Sequence, residues 1–276
     1  MERMLSRRRL LAGTGTALAA ALAGCSGLTP FVGKRQESSR SVGVEGVSAL
    51  SAVVDVGDVS VRSADRDDVR VDVVKQSSSV NADLSKLEFR VERPSDRVRL
   101  RGEWTGDSGL SGQPSLDLDV VVPRSLAVTR VRTDVGDVDV EDVRGDVRAR
   151  TSTGDVTLRS VSGTARAETS TGDVVVGDVD GFDGAESSTG DVDVEIPSID
   201  GDTTVETSTG DVSAAIGAGM DADVRASTNT GDVAVGNLAL DDASVGETSA
   251  SGTLGGGGPL LRFETRTGDV RLETLE

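Results

Sequence analysis

The side chains best suited to chemistry are aspartates that recur after a glycine at a nearly constant spacing. From Gly136 to Gly231 the Gly-Asp-Val motif repeats at intervals of 18, 18, 18, 20 and 21 residues, and a further copy begins at Gly268. The aspartates of these copies are Asp137, Asp155, Asp173, Asp191, Asp211, Asp232 and Asp269. If successive copies stack about 5 Å apart, two neighbouring carboxylates repel by roughly 0.8 kcal/mol in water. Each carboxylate of this aspartate column therefore needs a compensating partner.

Two kinds of partner could satisfy the aspartate column. Backbone N–H groups could donate to each carboxylate, or a file of cations such as Ca²⁺, which takes oxygen ligands, could bind along it. The repeat lacks the Gly-Gly-x-Gly-x-Asp pattern of Ca²⁺-binding β-rolls, and Val follows each Asp, so ligand density per repeat is low. We favour backbone donors, expect no cofactor, and keep Ca²⁺ as the alternative.

Most enzymatic chemistry is excluded by residue types that the chain lacks. It has no His, no Tyr and one Cys, which rules out Ser–His–Asp and Cys–His catalysis, His metal sites and intrachain disulfides. Paired carboxylates could cleave a polysaccharide, but no pair stands out among the many, and sugar-stacking aromatic residues are few. We therefore predict that the protein is not an enzyme. Trp104, near Asp107 on a Gly-rich loop, is expected to plug a core, with a binding contact as the alternative.

The charge balance narrows the choice of partners. The chain carries 29 Lys and Arg against 47 Asp and Glu, a net charge of −18, so nucleic acid and anionic membrane surfaces are poor partners. This acid-rich composition, with only three lysines, resembles that of proteins from extreme halophiles, and the alternative is an ordinary acidic secreted protein. We expect a monomer, with a surface protein or a polysaccharide as its possible partner.

The first residues resemble an export signal that ends in a lipid anchor. Arg7 and Arg8 lie in Ser-Arg-Arg-Arg-Leu-Leu, which resembles a twin-arginine signal, and an apolar run follows. That run ends in Leu-Ala-Gly-Cys25, which resembles a prokaryotic lipoprotein box. We predict a signal peptide over 1–24, lipid on Cys25 and location on the extracellular face of the membrane. The alternative is a plain secretory signal, and residues 25–43 are predicted to be a flexible tether.

The repeat also predicts the elements that must carry the aspartates. Before each Gly-Asp, every second position holds a small, hydroxyl or apolar residue, at odd offsets from the Gly. After the Gly-Asp, the apolar residues fall on even offsets from the Gly. A strand has a period of two residues, so this change requires a bend, which Gly and Asp can supply. Residues 124–276 are therefore predicted to form an all-β, right-handed β-solenoid of 18–21-residue coils stacked in chain order. An antiparallel β-meander is the alternative fold.

The region before the repeat has strand patterns without the regular spacing. Residues 44–123 contain strictly alternating segments, such as Val69–Val73 and Leu116–Val120, separated by long loops. We predict that they form an irregular β cap over one end of the stack, because solenoid ends need covering. Residues 44–276 are then expected to be one continuous domain.

Three elements in order resemble a known family. They are the strand around Gly57-Asp58-Val59, the Leu118–Pro123 strand, and the serial Thr-Ser-Thr-Gly-Asp-Val units. Together, over about residues 44–276, they resemble the "putative adhesin" family of β-strand-repeat domains, whose function is unknown. The resemblance implies a β-repeat fold on a prokaryotic surface and carries no catalytic residues with it.

Two functions follow as hypotheses. The first is a lipid-anchored surface module that binds a partner as an adhesin does, and the second is a structural envelope lipoprotein without a dedicated ligand. A Ca²⁺-binding repeat and a polysaccharide-acting enzyme are minor alternatives. An exposed apolar cluster would favour the first function and a uniformly acidic surface the second; the sequence offers only Leu254 and the segment 260–263 as such a cluster.

Overall fold

Each coil consists of two short strands that meet at a Gly-Asp corner. The computed structural model describes residues 33–106 and 113–275, which belong to one compact unit, Val32–Glu276. Within these residues the structure is β-sheet apart from turns and a single 3₁₀ turn, Leu84–Lys86. The strands form two walls, one on each side of the Gly-Asp corners.

We call the wall that precedes the corners the upstream wall. Its strands are β2 (Ala49–Val56), β5 (Leu87–Glu92), β6 (Arg97–Trp104), β8 (Ala127–Val135), β10 (Val147–Arg150), β14 (Thr203–Thr209), β16 (Ala222–Thr230), β18 (Asp241–Val245), β19 (Ser249–Leu254) and β20 (Leu260–Thr267).

The opposite wall, which follows the corners, is the downstream wall. Its strands are β1 (Lys34–Gly43), β3 (Val59–Ala64), β4 (Asp68–Ser77), β7 (Ser115–Pro123), β9 (Val138–Arg144), β13 (Val192–Ile196), β15 (Val212–Gly217), β17 (Val233–Val235) and β21 (Val270–Leu275). Two long strands pass from the downstream wall into the upstream wall: β11 (Val156–Glu168) and β12 (Val174–Glu186).

Pairing between successive coils is parallel, which confirms the β-solenoid and shows that the meander is wrong. The upstream wall runs β5–β6–β2–β8–β10–β11–β12–β14–β20–β16–β19–β18. The downstream wall runs β1–β4–β7–β3–β9–β11–β12–β13–β15–β21–β17. Antiparallel pairs occur only among the described strands at the two ends of the walls.

The order of the coils differs from the chain order that we predicted. The coil of β2 and β3 lies between that of β6 and β7 and that of β8 and β9. At the other end, the coil of β20 and β21 lies between that of β14 and β15 and that of β16 and β17. Ser251 and Gly252, which lie between the copies at Gly231 and Gly268, belong to β19, which pairs antiparallel with β16 at the edge.

The N-terminal predictions need two corrections. Residues 34–43 form β1 rather than a flexible tether, and β1 pairs with β4 over its whole length. Eight of its ten residues are exposed, so no alternation of apolar residues marks it in the sequence. Residues 44–123 are also more than a cap, because they supply two complete coils in addition to the antiparallel strands β4 and β5.

The core is a narrow apolar column between the two walls. Val, Leu and Ala from alternate strand positions fill it, and Phe182 and Phe263 are its largest fully buried side chains. This explains how a chain with few aromatic residues builds a core, because close-set walls leave room mainly for small and branched side chains.

Candidate functional site

The Gly-Asp corners, where chemistry was predicted, are packed so closely that only glycine fits. At Gly172 the backbone φ is +136°, and a Cβ atom would lie 2.0 Å from the carbonyl oxygen of Gly154 in the neighbouring coil. The other corner glycines have the same conformation and a similarly close carbonyl. The repeat therefore keeps glycine because neighbouring backbones touch there.

Each corner aspartate except Asp232, the last of the column, accepts a hydrogen bond from the backbone of the next coil. The N–H of Asp173 donates to Oδ1 of Asp155 at 2.8 Å, and the N–H of Asp191 donates to Oδ1 of Asp173 at 2.8 Å. The same bond joins consecutive members of the order Asp117, Asp58, Asp137, Asp155, Asp173, Asp191, Asp211, Asp269 and Asp232. The carboxylates are thus compensated by backbone donors, which was the interpretation we favoured.

A second ladder of hydroxyl groups lies just inside the aspartates. Buried Thr169 donates from Oγ1 to the carbonyl of Gly154 at 3.0 Å, and the hydroxyl three residues before each corner from Gly136 onward donates in the same way to the neighbouring corner glycine. The donors are Thr133, Thr151, Thr169, Ser187, Thr207, Thr265 and Thr228. Because the carbonyls and hydroxyls at the corners are paired with each other, the corners serve to join coils.

The sequence identified most of this column but not its full extent or order. All seven predicted aspartates belong to it, and Asp269 stands between Asp211 and Asp232 because the last coil is intercalated. Asp58 carries the motif but was assigned to the cap, whereas Asp117 has no preceding Gly, so no motif could reveal it. Among the described residues, no cluster of three or more acidic or Cys side chains has an arrangement suited to a metal ion.

A second corner, opposite the first, was missed. Asp142, Ser160 and Asp178 have φ near +52°, and buried Val143, Val161 and Val179 follow them. These residues recur every 18 positions, which is the signal that could have revealed the corner. Gly145 and Gly163 also belong to it, which explains why the Gly-Asp-Val copy at Gly145 falls outside the main spacing.

The solvent face of the upstream wall separates its charges along the stack. At the N-terminal end a groove of about 560 Å³ runs over β2, which we call the arginine groove. Its floor includes Ser51, Val53 and Thr129, and the charged residues lining it are Arg97, Arg99, Arg101, Arg130, Arg148 and Asp146. Five guanidinium groups against one carboxylate make this lining basic in a chain of net charge −18.

Further along the same face, four glutamates stand on neighbouring strands. Glu168 pairs in register with Glu186, Glu186 with Glu206, and Glu206 with Glu264. Burial raises the pKa of the Glu206 carboxyl, and the charges of Glu186 and Glu264 raise it further. The pKa of Glu168 is shifted in the opposite direction. Arg166 and Arg150 hold it below the usual range, although partial burial acts to raise it.

Other predicted residues fall into three groups. Trp104 is partly buried against the core, which agrees with the expected plug. The apolar segment 260–263 is part of β20, with Leu261 and Phe263 fully buried, so it forms no exposed cluster. Cys25, Arg7 and Arg8, predicted to carry the lipid and the export signal, lie outside the described residues.

Over 33–106 and 113–275 we find no helix with the length and apolarity of a membrane-crossing segment.

Comparison with known proteins places this architecture in a family. A search of curated proteins gave no match. Solved structures of similar chains include a "putative cell adhesion protein" from Clostridium sporogenes (12% identity, TM-score 0.38, covering 88% of this chain and 100% of the other). They also include a "putative adhesin" from Bacteroides fragilis (12% identity, TM-score 0.42, covering 87% and 97%). The family model described as Toastrack DUF4097 matches residues 110–273, which is more than half of the chain, and the protein therefore belongs to the Toastrack DUF4097 family.

Proposed function

We propose that this protein is an adhesin-like β-repeat module that is held by lipid on Cys25 at the extracellular face of the cell membrane and binds a partner in the envelope. The observation that carries the proposal is the arginine groove. In a chain of net charge −18, five arginines converge on one exposed groove with a single carboxylate among its lining residues. If the arginines were placed at random on this acidic protein, they would not be concentrated in one groove. A surface that binds anions requires such a concentration of positive charge.

The proposed lipid anchor rests on features of the sequence. Arg7, Arg8 and Cys25 stand in the order that a twin-arginine lipoprotein signal requires. We further propose that the module has no catalytic role, since the corner carboxylates are engaged in hydrogen bonds between coils. We also propose that it acts as a monomer.

One observation favours the alternative of a structural envelope lipoprotein. Leu261 and Phe263, which an exposed apolar binding surface would have used, are buried in the stack. The groove counts against this alternative, because the exposed surface is not uniformly acidic.

Anchoring is tested by fractionation. We expect Cys25→Ser to move the protein from the membrane fraction to the medium, or to leave it unprocessed, because the thiol that would carry the lipid is gone. Ser26→Ala, one residue away, is the control and should stay with the membrane. A Cys25→Ser variant that sediments with membranes as completely as the wild type contradicts the lipid anchor.

Binding is tested separately by retention of envelope material. The purified full chain carrying Cys25→Ser is immobilised and exposed to extracts of the cell surface at low and at high salt. We expect specific retention of at least one envelope component that a heat-denatured sample does not retain. If nothing is retained at either salt concentration, the structural alternative is preferred.

A further inference from the structure

We infer that the arginine groove binds a slender linear polyanion, a polysaccharide that carries carboxylate or sulfate groups. This inference rests on the proposed binding function and names the site and the chemical class of the ligand.

The groove exists because β2 has short outward side chains while both of its neighbours carry arginine. Ser51 lies opposite Arg99 of β6 and Arg130 of β8, and Val53 lies opposite Arg101 and Arg132. Since adjacent strands are about 4.8 Å apart, the two arginine rows stand roughly 10 Å from each other. These two rows form the sides of the arginine groove, and we call the part of the groove that runs along β2 between them the trough.

A β-bulge shapes one side of this trough. Leu50 pairs with Val128 and Ser51 with Arg130, so Thr129 is an extra residue in β8. Val128 and Val131 on either side are buried, which leaves both Thr129 and Arg130 turned toward solvent. The Thr129 hydroxyl donates to the Leu50 carbonyl at 3.2 Å and fixes the bulge. Bulges re-aim side chains in this way beside binding sites.

The arginines of the trough are only partly neutralised by the protein itself. Arg132 pairs with Asp134 at 2.7 Å, and Arg101 pairs with Glu103. Arg99 faces Glu92 at 3.5 Å, and Arg148 reaches Asp183 only at 3.9 Å. For Arg97 and Arg130, no described carboxylate lies within ion-pair distance. The trough therefore keeps uncompensated positive charge that an oxyanion can use.

The ligand class follows from the chemistry and dimensions of the trough. Guanidinium groups bind carboxylate and sulfate through paired hydrogen bonds. On β6 the arginines are two residues apart, so positive charges recur about every 7 Å along the trough, which suits a polymer with repeated anionic groups. Single-stranded nucleic acid would need aromatic stacking partners, and the groove lining contains none.

The negative charge of the remaining surface disfavours bulky anionic partners. A membrane or a second copy of net charge −18 would bring its other negative charges against this acidic protein. A thin chain confined to the trough avoids that repulsion. The second copy is nevertheless a concrete competitor, because the glutamates on the same wall could approach the arginines of another molecule.

The test compares two variants of equal net charge. Arg99→Gln/Arg130→Gln removes one guanidinium from each side of the trough, and Arg159→Gln/Arg225→Gln removes two exposed arginines elsewhere. The probes are polygalacturonate, dextran sulfate and neutral dextran, with poly-glutamate, phosphatidylglycerol vesicles and single-stranded DNA as competing classes. Affinity is measured by calorimetry on the full chain carrying Cys25→Ser, and circular dichroism verifies the fold of each variant.

We expect binding of polygalacturonate or dextran sulfate by the wild type, weakened at least tenfold by the trough variant and less than twofold by the control variant. Neutral dextran should not bind, and added salt should weaken the interaction. Three results would overturn the inference. The first is an equal loss of affinity in both variants, and the second is tighter binding of poly-glutamate, vesicles or DNA than of the polysaccharides. The third is self-association in sedimentation that the trough variant abolishes.

This result can be separated from the outcome for the proposed function. If the wild type retains envelope material and the trough variant retains the same amount, the groove is not the site although the module still binds. If the wild type binds polygalacturonate but retains no envelope material, the groove is an anion site and the adhesin-like function fails.

Discussion

At the scale of single residues, each corner aspartate has two opposite effects on the stability of the stack, one through its hydrogen bond and one through its charge. Asp155 accepts the N–H of Asp173, and it also sits between two other carboxylates in the column. Its hydrogen bond stabilises the joint between coils, while its charge opposes stacking at low salt. A substitution can separate these two effects, because Asn keeps an oxygen acceptor and loses the charge.

We expect the triple variant Asp155→Asn, Asp173→Asn, Asp191→Asn to fold with a free energy of unfolding within about 1 kcal/mol of the wild type and with less dependence on salt. The matched triple Ala variant leaves three N–H groups without their acceptor and should lose about 1 kcal/mol at each site. Denaturant unfolding at low and molar NaCl measures both quantities. A stoichiometric Ca²⁺ titration of the wild type that vanishes in the Asn variant would instead support the cation interpretation.

The glutamates of the upstream wall predict a dependence of stability on pH. The pKa of Glu206 is raised in the folded protein, so the folded state holds this proton more tightly than the unfolded state, whose carboxyl has a pKa of about 4.3. Stability is therefore lost as the pH rises from that value through the raised pKa. Glu206→Gln should remove this loss and stabilise the protein at neutral pH. Thermal unfolding between pH 4 and 7 measures it.

Exposed Glu247 supplies the control for that experiment. Glu247→Gln removes the same charge from the chain, and Glu247 is not among the charges that shift the pKa of Glu206, so this variant should leave the pH profile unchanged. Equal effects of the two substitutions would mean that net charge, and not the contact with Glu186 and Glu264, governs the profile.

At the scale of elements, one coil should be removable without disturbing the next. Deleting residues 154–171 joins Thr153 to Gly172, removes β11, and brings β9 and β10 against the two halves of β12. The corner contacts can re-form because Gly172 then faces Gly136 as Gly154 did. We expect a folded, less stable protein that is shorter by about 5 Å, as judged by circular dichroism, denaturation and small-angle scattering.

A half-coil deletion is the control. Removing residues 163–171 joins Ser162 directly to Gly172, so a Gly-Asp corner follows the second corner without a strand between them. The upstream wall then loses the end of β11, and β10 keeps β8 on one side but has no neighbour on the other. This variant should unfold locally or aggregate, and identical proteolysis patterns for the two deletions would contradict the coil unit.

The sequence predicts those elements whose contacts recur, and it fails where contacts occur once. The period of 18 residues and the change of alternation at each Gly-Asp predict β10 to β15, because each of these coils packs against a coil of similar sequence. They do not predict β1, whose ladder with β4 depends on backbone pairing at an exposed edge. They also do not predict the arginine groove, since Arg99, Ser51 and Arg130 come together only through the insertion of β2 between β6 and β8.

At the scale of the whole molecule, the last coil along the described chain is not the last coil of the stack. The described part of the chain finishes with β21, yet β21 is flanked by β15 on one side and β17 on the other. On the upstream wall β20 is likewise held between β14 and β16. The outer position is occupied by a coil from earlier in the sequence.

We expect hydrogen exchange to reveal this inversion. Amides of β20 and β21 should exchange more slowly than those of β17 and β18, because the former have a hydrogen-bonded strand on both sides. Mass spectrometry of peptides covering 233–245 and 260–275 measures the difference. A stack ordered along the chain would give the opposite ranking.

The intercalated coil has a consequence during synthesis on the ribosome. Until β20 and β21 have emerged, β14 and β16 carry the same Thr-x-Thr-Gly-Asp motif and can dock on each other at the usual spacing. Such docking would give the nascent chain an incorrect neighbour, which the arriving coil would have to displace. Completion of the stack would then include an exchange of strand partners, and a chain truncated before β20 would lack one coil although its edge strand carries the regular motif.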